Sequence, residues 1–248
     1  MASPHSGAAI QERLEAINAD SLDALIGKAT RYGVAILEDI LPDAKREIAL
    51  RDFATIRQIP ATRMGDGVRC FSRKPSASFR EIFDELTLTV TKTLYGIGYH
   101  PPKDRFGFIQ RLEFETEDRN DPNTILHIDR HIPSIKLFYY PHPITSPDLS
   151  PFGFVPESHI INENYINEVR STFKRLTYGS KPFAMHNPTG NPELPILVKG
   201  NSLVLTYTNG LHRRTPFGSS ALPGATREAA CFMFYNLHTR LKLLSQVL

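Results

Sequence analysis

The stretch Ser202-Leu203-Val204-Leu205-Thr206-Tyr207-Thr208-Asn209-Gly210-Leu211-His212 joins a strand-like apolar run to a histidine that follows it directly. Similar strand-like runs occupy residues 106–114, 135–140 and 229–237. The second half of residues 106–114 alternates apolar and polar side chains, which is typical of a half-buried strand. Segments rich in proline and glycine separate these runs. The second part of the chain is therefore predicted to be a β core with long connections.

The first part of the chain has the periodicity of helices. Apolar side chains three and four residues apart predict one or two helices over residues 8–29, with a break at Asn18-Ala19-Asp20-Ser21 where Asp20 or Ser21 caps the second helix. Further elements are expected at residues 33–37 (a buried strand), from residue 42 (a helix) and at 79–94 (a helix).

Helices followed by many strands indicate an α+β fold with an antiparallel core. A double-sheet barrel or jelly roll, which is cupin-like, is the natural closure for such strands. We expect one domain over residues 1–248, with a helical front at 1–100 and a jelly-roll core at about 100–240. The N-terminal helices are expected to pack on one sheet of this core.

Composition is that of an ordinary globular protein. The chain has 248 residues, of which 41% are apolar, and 29 Lys and Arg against 26 Asp and Glu give a net charge of +3. This excess predicts neither a nucleic acid nor a membrane as a partner, and no run approaches the roughly 20 apolar residues of a membrane helix. The two cysteines, Cys70 and Cys231, predict neither a disulfide framework nor a thiolate metal site. We expect a cytoplasmic protein without a signal peptide, and no oligomeric state is indicated.

The strongest chemical signal is His127-Ile128-Asp129. On a strand, residues two apart face the same side, so both polar side chains can reach one metal ion. Such pairs also arise by chance, and taken alone this one is better explained as a surface or strand-end pair that binds no metal. A third candidate ligand, His212, favours the metal, because two imidazoles and one carboxylate form the facial triad of non-heme Fe(II) oxygenases.

Several segments, taken in order, resemble the phytanoyl-CoA dioxygenase-like branch of the Fe(II)/2-oxoglutarate-dependent dioxygenases. They are His127-x-Asp129, then Ser150-Pro151-Phe152-Gly153-Phe154-Val155-Pro156-Glu157-Ser158-His159, then His212 and Arg227. The middle segment is similar to the family stretch Gly-Pro-Leu-x-x-x-Pro-Gly-Ser-His, with Glu157 where glycine is usual. Residues 32–41 also resemble the family's N-terminal strand. The resemblance covers roughly residues 30–240.

This resemblance implies a double-stranded β-helix, one Fe(II) ion held by His127, Asp129 and His212, and the use of 2-oxoglutarate and O₂. It also implies a cation for the far carboxylate of 2-oxoglutarate. Arg227 is the candidate, since a guanidinium pairs with a carboxylate through two parallel hydrogen bonds. Arg227 lies farther from His212 than is usual, and residues 217–224 form a loop extension that absorbs the difference. Gln110 is similar in place to a family Gln that contacts 2-oxoglutarate; the alternative is an ordinary polar strand residue.

Other polar residues are candidates for the substrate side of the site. Arg213 and Arg214 are rivals of Arg227, but their position beside a ligand favours contact with the substrate or with the near side of 2-oxoglutarate. His131, two residues beyond the carboxylate ligand, is a substrate contact, a rival ligand or a residue of the pocket mouth.

Three further features stay open at this stage. His186 is a rival of His212 as the distal ligand. Lys136 either assists an anionic group inside the barrel or extends its ammonium group to solvent. Residues 60–78 are flexible by composition and carry several cations, so they form either a lid over an anionic substrate or a solvated basic loop.

The resemblance implies an enzyme that couples decarboxylation of 2-oxoglutarate to oxidation of a C–H bond, by default hydroxylation, in a small polar metabolite or natural-product intermediate. One alternative is another metal-dependent cupin-like enzyme, an isomerase or hydrolase, with the same ligands; Arg227 argues against it, because only the oxygenase needs a carboxylate anchor. The other is a catalytically silent ligand-binding barrel, which has no need of three intact ligands.

Overall fold

The computed structural model describes residues 7–95, 106–129, 134–175, 183–184 and 186–235. Within these ranges the chain forms five α-helices, two short 3₁₀-helices and thirteen strands. The α-helices are α1 (Gly7–Ile17), α2 (Leu22–Tyr32), α3 (Asp43–Ala54), α4 (Ala77–Tyr95) and α5 (Glu163–Arg175), and the 3₁₀-helices are Ile56–Gln58 and Pro122–Thr124. None of the described helices has both the length and the apolar character needed to cross a bilayer.

The strands form two sheets. They are β1 (Asn18–Ala19), β2 (Val34–Leu37), β3 (Thr62–Arg63), β4 (Asp66–Arg73), β5 (Phe106–Arg119), β6 (His127–Ile128), β7 (Ser134–Tyr140), β8 (Phe152–Phe154), β9 (Phe183–Ala184), β10 (Leu194–Ile196), β11 (Ser202–Tyr207), β12 (His212–Arg214) and β13 (Thr226–Tyr235). The larger sheet has the order β1-β2-β11-β7-β13-β5-β4-β3, and the smaller has the order β10-β8-β12-β6-β9. All pairs are antiparallel except β1 with β2.

The larger sheet separates two hydrophobic cores, because its strands are apolar on both faces. On β7, Leu137 and Tyr139 point to one face and pack with Phe79 and Phe83 of α4. Phe138 and its neighbours on the other face pack against the short strands of the smaller sheet. The fold is therefore a mixed one of helices and two sheets, in which α2, α3 and α4 pack on the larger sheet as predicted, whereas α1 packs in the other core beside β10 of the smaller sheet.

Local signals account for the helix boundaries at the front of the chain. Ser21 caps α2, and its hydroxyl accepts a hydrogen bond from the backbone N–H of Ala24 at 3.2 Å. The predicted break between the first two helices is confirmed, with Ser21 rather than Asp20 as the cap. Gly33 ends α2 with φ +87°, a conformation that favours glycine. A Cβ there would also lie 2.6 Å from the side chains of His159 and Phe154.

The expectation of a flexible segment at residues 60–78 is wrong. This segment contains β3 and β4, which form a hairpin, and β4 pairs with β5 over most of its length. Val68 and Cys70 are buried on one side, and the intervening Arg69 pairs with two glutamates of β5. Two of the cations that suggested a loop, Arg69 and Arg73, thus lie on a paired strand, on either side of the buried Phe71.

Candidate metal centre

The three predicted ligands come together at the middle of the smaller sheet. His127 on β6 and His212 on β12 are directly paired across the two strands. Asp129 follows β6 immediately, and its backbone N–H donates to the Thr208 carbonyl at 2.9 Å. One ligand atom from each of the three side chains lies within 4.8 Å of the others. Sequence spacing alone placed two of these residues together, and the fold adds the third.

Backbone carbonyls orient both imidazoles. Nδ1 of His127 lies 2.6 Å from the Ile125 carbonyl, and Nδ1 of His212 lies 2.9 Å from the Gly210 carbonyl. A carbonyl only accepts hydrogen bonds, so each ring donates from Nδ1, which leaves Nε2 as the ring atom that can bind a metal. Both Nε2 atoms face Oδ1 of Asp129, at 3.9 Å from His127 and 3.5 Å from His212.

The electrostatics favour neutral imidazole and ionised carboxylate. Burial, followed by the neighbouring His212, lowers the pKa of His127 to about 4. Burial by itself would raise the pKa of Asp129, but His212 and Lys136 beside the carboxylate outweigh it and hold this pKa below its usual range. These are the protonation states in which both residue types bind metals.

The three side chains fit a divalent metal ion. Nε2 of His212 is buried without a hydrogen-bond partner among the described residues, although a buried polar atom normally has one. Two imidazole nitrogens and one carboxylate oxygen suit Fe(II) better than the thiolate-preferring soft metals. Cys70 and Cys231 are buried free thiols outside this cluster.

A cavity of about 160 Å³ adjoins the cluster and contains a buried cation. Arg227 of β13 lines it and is 6% exposed. Its Nη2 donates to the Tyr140 hydroxyl at 3.1 Å, and its guanidinium lies 5.6 Å from the centre of the same ring. Its buried Nε has no partner among the described residues. Arg227 therefore has donors left for an anion inside the cavity.

The two neighbouring arginines are engaged by carboxylates. Arg213 pairs with Glu193 through two contacts of 2.9 and 2.8 Å, and it also donates to the Thr124 carbonyl. Arg214 is buried between Asp118, at 2.5 and 2.7 Å, and Asp121, at 2.8 and 3.2 Å. Both residues line the cavity, but their charged groups already have partners.

The remaining candidates are distributed as follows. Gln110 lines the cavity, with its amide nitrogen 3.4 Å from Sγ of Cys70 and 3.8 Å from Sδ of Met64. His186 is exposed and does not belong to the metal-binding group found among the described residues. His131 lies outside the described residues.

Sequence reasoning missed one part of this site and left another part undecided. Asp118 and Asp121, which hold Arg214, lie at the end of β5 and just after it, in a stretch with no motif. Lys136 was left undecided between an anionic group and solvent; its ammonium nitrogen lies 2.6 Å from Oδ2 of Asp129. The alternation of β7, which places Lys136 on the same face as the cavity residue Phe138, was the available signal.

Comparisons with known proteins agree with this architecture. Neither a family model nor a curated protein sequence matches the chain. HygX from Streptomyces hygroscopicus, solved with nickel and 2-oxoglutarate bound, is 13% identical, with a TM-score of 0.57 over 88% of each chain. The epimerase SnoN, solved with Fe³⁺, alpha-ketoglutarate and nogalamycin RO, is 13% identical, with a TM-score of 0.58 over 87% of this chain and 83% of that one. AviO1 from Streptomyces viridochromogenes is 14% identical, with a TM-score of 0.57 over 89% of this chain and 98% of that one. The chain therefore shares its fold with structures that include metal-bound and 2-oxoglutarate-bound enzymes.

Proposed function

We propose that the protein is a non-heme Fe(II)- and 2-oxoglutarate-dependent dioxygenase acting on a small polar metabolite or natural-product intermediate. The observation that carries this proposal is the convergence of His127, Asp129 and His212 beside a cavity that also holds the buried Arg227. A hydrolytic metal site needs no such second cation. We include in the proposal the double-stranded β-helix as the arrangement of the two sheets, the phytanoyl-CoA dioxygenase-like branch and a cytoplasmic location.

Each residue has a task in this proposal. His127, Asp129 and His212 would hold Fe(II), which with 2-oxoglutarate and O₂ supplies the oxidising power while 2-oxoglutarate is converted to succinate and CO₂. Arg227 would pair with the far carboxylate of 2-oxoglutarate, and the amide of Gln110 would contact the same molecule.

Other cavity residues would position and shield the reactants. Phe108, Phe138 and Phe152 line the cavity and exclude water from it. Arg213 would contact the substrate from the cavity wall, and we assign the same role to His131. Arg214, held by two carboxylates, would act by keeping the wall in place.

The solved structures bear on the substrate and on the outcome of the reaction. HygX has been solved with hygromycin B and SnoN with nogalamycin RO. SnoN is described as an epimerase and the related SnoK as a carbocyclase. We propose hydroxylation as the default outcome, with epimerisation or ring closure as the outcomes that product analysis must separate from it.

One experiment tests the family of reactions before any substrate is known. Anaerobic addition of Fe(II) and 2-oxoglutarate should give a weak charge-transfer band in the visible range, and admission of O₂ should then yield succinate. Asp129→Ala should abolish both signals, whereas Asp20→Ala, the same change on an exposed surface residue, should leave both intact.

The outcomes separate the candidate functions. A protein that binds Fe(II) but gives neither the band nor succinate would favour a cupin-like isomerase or hydrolase. A protein that binds no metal would favour a silent barrel. Succinate production retained by Asp129→Ala would remove this residue from the site.

A further inference from the structure

The two oxygens of the Asp129 carboxylate have different neighbours. Oδ1 faces the imidazoles, at 3.5 Å from Nε2 of His212 and 3.9 Å from Nε2 of His127. Oδ2 faces the other way, and Nζ of Lys136 lies 2.6 Å from it. One oxygen is thus directed to the metal-binding position, while the other is held by a cation.

The backbone of Lys136 is fixed at a defined place opposite the ligands. Lys136 lies on β7 in the middle of the larger sheet, where its backbone is paired with Thr206 of β11 on one side and Met233 of β13 on the other. Its side chain is 15% exposed and lines the cavity. The larger sheet therefore carries a cation across the cavity to a carboxylate that belongs to the smaller sheet.

We propose that Lys136 is a positioning residue that holds Oδ2 of Asp129, so that Asp129 binds the metal through Oδ1 alone. This inference rests on the proposed function, since it requires a metal at His127, Asp129 and His212. Two imidazoles and a one-oxygen carboxylate occupy three of six octahedral positions. A carboxylate that bound through both oxygens would occupy a fourth and compete with a chelating cosubstrate for the remaining space.

Charge and geometry make different predictions for the coordination of the metal after removal of Lys136. As a charge, the ammonium group repels a divalent ion, so its loss would tighten metal binding. If the ammonium group positions Asp129, its loss would free Oδ2 to bind the metal and would change the coordination number of the metal. Metal affinity alone therefore does not distinguish the two effects, whereas the coordination of the bound metal does.

Co(II) provides the necessary probe, because its visible absorption reports coordination number and geometry. We would compare the Co(II) spectra of wild type, Lys136→Met and Lys136→Arg, together with Arg227→Met as a matched control. Arg227→Met removes one positive charge from the same cavity without touching Asp129. Oxalate serves as the chelating ligand, because it binds metal through two oxygens and has no far carboxylate for Arg227.

In Lys136→Met we expect altered band positions and intensities. The oxalate Kd for the Co(II) protein should rise because Oδ2 would occupy a position that oxalate needs, by about tenfold or more if the effect matches the usual loss of metal affinity or activity on removing a group that orients a ligand. Lys136→Arg, which retains a cationic donor, and Arg227→Met should both keep the wild-type spectrum. Lys136→Ala replaces Lys136→Met if the methionine variant does not fold.

Two results would overturn the inference. The first is a Lys136→Met protein with the spectrum and oxalate affinity of the wild type. The second is a spectral change in Arg227→Met as large as that in Lys136→Met, which would indicate a general effect of charge. Failure of the wild-type protein to bind Co(II) would instead refute the proposed function, and this inference with it.

Discussion

Replacing Arg227 with methionine should weaken the binding of 2-oxoglutarate without affecting the binding of metal. Arg227 is 6% exposed, and its hydrogen-bond partner among the described residues is the Tyr140 hydroxyl. The described residues offer it no ion pair, and its Nε is buried without a partner. A carboxylate entering the cavity would therefore meet a cation whose desolvation has already occurred during folding.

The size of the effect follows from the burial of Arg227. Removing one partner of a buried, hydrogen-bonded charge pair costs about 2–5 kcal/mol, much of it because the other charge is left buried and unpaired. At roughly 1.4 kcal/mol for each factor of ten, the Kd for 2-oxoglutarate should rise by about 30- to 4,000-fold. The effect on folding has two opposing parts, because the buried Tyr140 hydroxyl loses its hydrogen bond while a buried cation is removed at the same time.

Calorimetric titration of the Co(II)-loaded protein measures this change directly. Pyruvate is the internal control, because it keeps the carboxylate and keto group that chelate the metal but lacks the far carboxylate, so its affinity should be the same in both proteins. Arg213→Met is the matched arginine control and should leave the affinity for 2-oxoglutarate within a few-fold. An equal loss for 2-oxoglutarate and pyruvate, or a larger loss in Arg213→Met, would refute the assignment of Arg227.

Three further predictions concern the scaffold. Asp118→Asn should lower the free energy of unfolding in urea by about 3 kcal/mol, because Arg214 loses one of two buried carboxylates; a loss below 1 kcal/mol would show that Asp121 suffices. Gly33→Ala should lower the thermal midpoint, since its φ is +87° and its Cβ would lie 2.6 Å from two side chains, whereas Gly27→Ala, with open space around its Cβ, should raise it. Burial lowers the pKa of His159, so the unfolded chain takes up more protons than the folded one and the free energy of unfolding falls as pH drops below about 6.5. In His159→Asn the decline of this free energy between pH 7.5 and 5.5 should be smaller. An unchanged decline would exclude this histidine as its source.

The sequence identified the parts of the fold that have a strong local signal. Amphipathic periodicity and a capping serine placed the first two helices to within a few residues. The apolar side chains that bury one face recur at helical spacing, and the serine marks where the second helix begins. Long apolar strands such as β7 and β11 were equally visible. The three candidate metal ligands were identified from one His-x-Asp pair and a histidine after a strand, and the structure brings them together.

The short strands and the hairpin could not be found in this way. β6, β8 and β12 have two or three residues each, too few for any periodicity to appear. Their pairing is set by contacts across the sheet, as when His212 pairs with both His127 and Phe154. In β4, two arginines hid a strand because their partners lie far away along the chain: Arg69 pairs with Glu113 and Glu115 of β5, and Arg73 pairs with Asp52 of α3.

The candidate metal ligands lie on or directly after very short strands of the smaller sheet, so their positions must be set by contacts other than the ladder of backbone hydrogen bonds. The Ile125 and Gly210 carbonyls fix the two rings, and the buried Arg214, two residues beyond His212, ties the same strand to Asp118 and Asp121. Metal geometry and stability are therefore coupled through β12: a change that releases Arg214 should loosen His212 as well as destabilise the fold. Such a change should reduce Co(II) affinity even in protein that remains folded. Phe79→Leu, which loosens the core on the other face of the larger sheet, should instead lower stability and leave the Co(II) affinity of the folded protein unchanged.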